Sequence, residues 1–152
     1  MTIEFAHVTT IEAPIDAVFD LSLDIDAHLA SMAESGERAV AGTTTGLIGL
    51  GETVTWRARH FGIPFTMTSK VTEWDRPRRF VDEQLKGPFR RFHHEHVFDS
   101  ADGVTTMTDR IRFDAPLGPL GRLVETLVLG RYLHKLIDER GQYLKATAER
   151  GC

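Results

Sequence analysis

One cysteine stands in the whole chain, and it is the last residue, Cys152. No intrachain disulfide framework and no thiolate zinc cage can be built from it. Positive charge is also short: 18 Lys and Arg against 22 Asp and Glu leave a formal net charge of −4. A general binder of nucleic acid or anionic membrane carries the opposite balance. No stretch approaches the roughly 18 apolar residues of a membrane span, and the N-terminus lacks a basic segment followed by an apolar one. Phosphate loops of the G-x-G-x-x-G or G-K-[ST] kind are missing, as is the G-x-S-x-G elbow of serine hydrolases. Nor is there an internal repeat, a low-complexity tract or an interdomain linker. What is present is enough for a core: Leu, Ile, Val and Phe make up 41 of the 152 residues, above the roughly one-fifth below which chains tend to stay disordered. The expectation is one cytoplasmic domain over residues 1–152, a monomer or homodimer, with no nucleic-acid partner, no integral membrane segment and no cofactor.

Hydrophobic period changes twice along the chain. Ile3, Phe5 and Ile11 alternate with polar residues and share a face with His7 and Thr9, which predicts a strand. Pro14 ends it and suits a first helical position. Ile15, Val18, Phe19 and Ser22 then follow helical spacing, and residues 21–29 predict a second short helix. Arg38 to Gly42 reads as a short strand, while Leu47-Ile48 fits either a loop or a bulged strand. Alternation resumes with Val54, Trp56, Ala58 and His60, then Ile63, Phe65, Met67, Ser69 and Val71. Two more faces follow, Phe80, Asp82 and Gln84 and then Phe92, His94, His96 and Phe98. Met107, Asp109, Ile111 and Phe113 make the last. From residue 118 to 149 the period becomes 3.6, with a Leu/Val/Ile stripe and with Arg122, Glu125, Arg131, Lys135, Glu139 and Arg140 assigned to other faces. A helix of about 30 residues is roughly 45 Å long, and a loosened turn is expected near Gly130. The order is α+β: a curved antiparallel sheet of about six or seven strands on one long C-terminal helix, with two short helices after the first strand.

Local sequence adds to this order. IEAPIDAVFDL (residues 11–21), WDRPRRFVDEQLKGPFRRFHHEHVF (74–98) and TTMTDRIRFDAPLGPLGRL (105–123) together resemble the START-like, helix-grip SRPBCC superfamily, whose members include polyketide cyclases, lipid carriers and hydrolases. The resemblance spans essentially the whole chain. It implies a cavity between sheet and long helix for a hydrophobic or amphipathic small molecule. On these expectations Trp56, Phe65, Met67, Phe92, Met107, Leu127, Leu136 and Ile137 line that cavity.

The polar residues on the inward faces carry what chemistry there is. Asp82, Gln84, His94, His96 and Asp109 fall on three sequential strands and should meet in one patch. Buried polar groups need partners, so the first expectation is a hydrogen-bonded network that fixes register or orients a ligand. The second is acid–base catalysis of a cyclase/aromatase kind, with His94 or His96 moving protons and the aspartates Asp82 and Asp109 orienting the ring. Metal is the weakest: His94 and His96 supply two ligands, with Asp109, Asp82 or His7 as candidates for the third. The basic set Arg76, Arg78, Arg79, Lys86, Arg90 and Arg91 is expected to be a solvated edge around a hairpin rather than an anion site.

Overall fold

The computed structural model describes residues 2–114 and 122–151, and the backbone alone of residues 122–127. In chain order the elements are β1 (Thr2–Ile11), α1 (Ile15–Ser22), α2 (Ile25–Ser31), β2 (Arg38–Gly42), β3 (Thr53–His60), β4 (Ile63–Asp75), β5 (Arg79–Lys86), β6 (Arg91–Ala101), β7 (Val104–Asp114) and α3 (Arg122–Arg150). The strands form one antiparallel sheet in the order β1-β7-β6-β5-β4-β3-β2. Hairpins therefore join every neighbour from β2 to β7, and β1 pairs with the last strand along its whole length, from Thr2 opposite Asp114 to Ile11 opposite Thr105. The curved sheet grips α3, as the order of elements predicts.

Local chemistry sets the boundaries. Pro14 precedes the first turn of α1 in extended conformation, and Asp24 caps α2 by accepting from the Ala27 amide at 3.1 Å. Leu47-Ile48 is loop, tied to Asp24 by a single bridge, with Ile48 buried and Leu47 exposed. α3 runs through Gly130 without interruption; the expected start at 118 lies outside the described residues.

Two apolar clusters form the core. One gathers Ile11, Val18, Phe19, Phe80, Phe98, Met107 and Leu144 beneath α1. The other gathers Ile111, Phe113 and Ile137 with Phe89, Phe92, Leu129 and Leu133. Along β6, β7 and α3 alike, the residues between the two clusters are polar: His94 and His96, Asp109, and Arg140. Arg140 is the main departure from the helical-face assignment, since it is buried to 4% exposure. It lies three residues after Ile137 and four before Leu144, on the apolar stripe itself.

Candidate functional site

His94 and His96 point inward from β6, with Asp82 opposite His94 on β5 and Asp109 opposite His96 on β7. The bonds run diagonally across these pairs. His94 Nε2 lies 2.7 Å from Asp109 Oδ1, and His96 Nε2 lies 2.7 Å from Asp82 Oδ2. The imidazoles stack with centroids 3.7 Å apart, and Phe80 stacks on His96 at 3.9 Å. From α3, Arg140 Nη1 reaches Asp109 Oδ1 at 3.3 Å, while Nη2 donates to the Ser22 carbonyl at 3.2 Å. One guanidinium thus ties α3, β7 and the end of α1 together.

Burial and charge set the protonation states. Burial pushes the Asp109 carboxyl up, but the hydrogen bond from His94, the close His96 ring and the Arg140 charge outweigh it and hold Asp109 well below the usual carboxylate range. Asp82 is likewise lowered, with burial opposed by the His96 hydrogen bond and the neighbouring His94, His96 and Arg140. For His94, burial and then the adjacent His96 push the pKa down to about 4. At neutral pH the array therefore holds two carboxylates, a guanidinium and a neutral His94. His96 Nδ1 sits 3.3 Å from Asp109 Oδ1 without the alignment of a hydrogen bond, and Asp109 Oδ2 has no partner among the described residues.

Asp82, His94 and His96 each place one ligand atom within 4.8 Å of the others, the three-residue set a metal would need. Their geometry does not fit one. The rings lie face to face at 19°, so their in-plane lone pairs run side by side, and each Nε2 is already directed at a carboxylate. Zinc requires its nitrogen ligands at about 2.0–2.1 Å from a common point. His7 is no third ligand either: it faces α3, with Nδ1 3.3 Å from His134 Nε2 and Nε2 3.3 Å from Asp138.

A cavity of about 680 Å³ lies between the sheet, α2 and α3. Trp56, Phe65, Met67, Phe92, Leu136 and Ile137 line it as expected, and so do Asp82, His94 and His96. Three expected residues do not. Met107 is fully buried under α1, with Ser22 Oγ 3.6 Å from its sulfur. Gln84 clips the β5–β6 hairpin, donating to the Phe89 carbonyl at 2.7 Å and accepting from the Phe89 amide. Asp109, with no exposed surface, stands behind the histidines. The Leu127 side chain lies outside the described residues. Phe61 and Val128, 61% and 49% exposed, also line the cavity; it opens to the surface between the β3–β4 turn and α3 rather than being sealed.

A second polar set lies on the same walls: alternation placed His60 on the face of Trp56 but gave it no role, and His28, Glu37 and Tyr132 lie outside the alternating strands. His28 Nε2 meets Glu37 at 2.7 Å, and its ring packs on Trp56 at 4.4 Å. Nearer the mouth, His60 Nδ1 and the Tyr132 hydroxyl are 2.6 Å apart, joining β3 to α3. Burial lowers the His60 pKa, opposed by Glu37, and raises that of Tyr132. The basic residues also separate: Arg76, Arg78 and Arg79 lie at one end of β5, and Lys86, Arg90 and Arg91 at the other. Arg76 pairs with Asp20 at 2.8 Å, and Arg79 pairs with Glu73 and Glu95.

Among solved structures, the Zhui aromatase/cyclase from a Streptomyces species superposes with a TM-score of 0.79 at 17% identity, over 99% of this chain and 95% of that one. The Thermus thermophilus protein TTHA0849 gives 0.75 at 18% identity, over 96% and 99%. Major latex-like protein 151 from Panax ginseng gives 0.68 at 13% identity, over 97% of each chain. At these identities the likeness is one of fold. No curated protein matches the sequence at a significant level. Among the described residues no helix is long and apolar enough to cross a membrane. A family model does match, over residues 2–149, and by that match the chain belongs to the polyketide cyclase/dehydrase and lipid transport family.

Proposed function

We propose that residues 1–152 act as one ligand-binding domain, holding a hydrophobic or amphipathic small molecule of lipid-, aromatic- or polyketide-like character between sheet and α3. The observation that carries this reading is the cavity itself. At about 680 Å³ it falls within the range of roughly 300–1,000 Å³ usual for small-molecule sites. Its walls are mainly apolar, and many of its polar side chains are held by hydrogen bonds to one another. Family membership supports the same class of function.

The buried array suits holding better than proton transfer. A group that exchanges protons well has a pKa near the working pH, whereas His94, at about 4, is neutral at pH 7 and a weak base. The cyclase-like alternative rests on the Asp82–His96 pair, whose carboxylate also borders the cavity. Recovery of a bound aromatic compound chemically unchanged after long incubation supports binding alone; a cyclised or dehydrated product supports the alternative.

Titration with the neutral probe N-phenyl-1-naphthylamine, whose emission rises in apolar surroundings, tests the binding. One saturable site per chain is expected. Ala58→Phe combined with Ile137→Phe, which pinch the cavity from opposite walls, should weaken it at least about tenfold while the melting temperature stays within a few degrees. Equal binding by parent and variant would place the probe elsewhere and overturn the proposal.

A further inference from the structure

We infer that this cavity selects ligands that present an uncharged or cationic hydrogen-bond donor, such as a hydroxyl, phenol or amine, to the buried array, and that it rejects carboxylates and other anions. The inference rests on the binding role proposed above and names its ligand class.

Proton bookkeeping at the array leads there. An ionised Asp109 can only accept hydrogen bonds, so the proton in its 2.7 Å contact with His94 belongs to His94 Nε2. In a neutral ring the other nitrogen, Nδ1, is then a lone-pair acceptor, and it has no hydrogen-bond partner among the described residues. Asp82 repeats the pattern. Its Oδ2 takes His96 Nε2, its Oδ1 has no partner among the described residues, and 26% of its side-chain surface remains accessible on a residue that lines the cavity. Both free atoms of the array that border the cavity are acceptors.

The cations present do not compensate. Arg140 is committed to Asp109 and the Ser22 carbonyl, and turning it toward a ligand anion would strip a fully buried carboxylate of its counter-charge. Lys70, the other cation on the lining, alternates along β4 with the buried Ser69 and Val71. Asp24, Glu37 and Asp82 line the cavity, and Asp109 stands directly behind it. These four carboxylates outnumber the two cations, Arg140 and Lys70. An entering anion would lose its hydration and meet no free donor of opposite charge, whereas a hydroxyl or ammonium meets acceptors already in place.

Competition against N-phenyl-1-naphthylamine at pH 7 tests this with two ligands of one ring system, 2-naphthol and 2-naphthoate. The parent protein should release the probe at a naphthol concentration at least about tenfold below that of naphthoate. Asp82→Asn should narrow the ratio to about threefold or less, chiefly by improving naphthoate. If Asp82→Asn does not fold, Glu37→Gln removes another lining carboxylate and should narrow the ratio in the same direction. Naphthoate competing as well as naphthol in the parent, or a ratio unmoved in the folded variant, overturns the inference while leaving binding intact. Failure of the probe itself to bind the parent overturns both.

Discussion

Arg140 is the residue on which the polar layer depends most, and the sequence pattern conceals it. Charged side chains on an amphipathic helix normally face water, so the helical stripe assigns it outward. Its place between Ile137 and Leu144 was the available signal, because an arginine on the apolar face must find a buried counter-charge. His94, His96, Asp82 and Asp109 were legible for the opposite reason: strand alternation put polar side chains among Phe80, Phe92 and Phe98, where each needs a partner. Arg140→Met removes the cation and leaves Asp109 ionised and uncompensated, so a loss of about 3–5 kcal/mol is expected in denaturant unfolding at pH 7. Adding Asp109→Asn to that variant should recover part of the loss, since the two share one interaction. His94 supplies a pH test. Its pKa falls from 6.5 in the unfolded chain to about 4 in the folded one, so the unfolded state binds the proton first as pH drops. Its contribution is complete above pH 6.5 and lost by about pH 4, on the order of 3 kcal/mol. Asp109, lowered below 3.8, loses its contribution only beneath that window. His94→Gln should therefore flatten the stability curve between pH 6.5 and 4; an unchanged slope there would assign it to other groups.

Elements were easier to read than the ends of elements. Every strand but β2, and both short helices, follow from alternation, helical spacing and Pro14, because each buries one face and the period records which. β2, exposed along most of its length, has no buried face to record. Gln84 and Met107 show where alternation stops working. Pairing of β5 with β6 extends only to Glu83 opposite His93, so Gln84 lies beyond the ladder and its amide turns to the hairpin backbone. Met107 does point inward, but α1 covers that end of the sheet and converts cavity wall into core. Helical glycines on α3 divide in the same way. Both carry a propensity cost of about 1 kcal/mol relative to Ala, yet only one has room for a side chain. A Cβ on Gly130 would meet nothing within 4 Å, whereas on Gly141 it would lie 2.6 Å from Thr9 Oγ1 on β1. Gly130→Ala is expected to stabilise by up to about 1 kcal/mol. Gly141→Ala should destabilise by roughly 1–3 kcal/mol, as overpacking forces β1 and α3 apart. Paired thermal melts read both signs, and a stabilising Gly141→Ala would show that Thr9 rotates away without cost.

At the scale of the whole molecule, the sheet and α3 enclose more volume than their side chains fill, and no local period encodes that. Sequence pattern tells which residues face inward; it does not tell whether they meet. Trp56, Phe65, Met67 and Phe92 read equally well as solid core, and the family resemblance, not the alternation, supplied the expectation of a cavity. An unfilled interior forgoes contacts that a packed core would make, so occupancy should register as global stability. Linkage gives the size. A ligand that binds only the folded chain, present at 100 times its dissociation constant, adds about 2.7 kcal/mol, which for a domain of this length corresponds to a rise of roughly 5–11 °C in melting temperature. N-phenyl-1-naphthylamine at that excess should produce such a rise in the parent. The pinched variant carrying Ala58→Phe and Ile137→Phe should show little or none, because added side chains already occupy the space. A similar rise in both proteins would mean that the probe stabilises the chain from its surface, and the cavity would then not be the seat of binding.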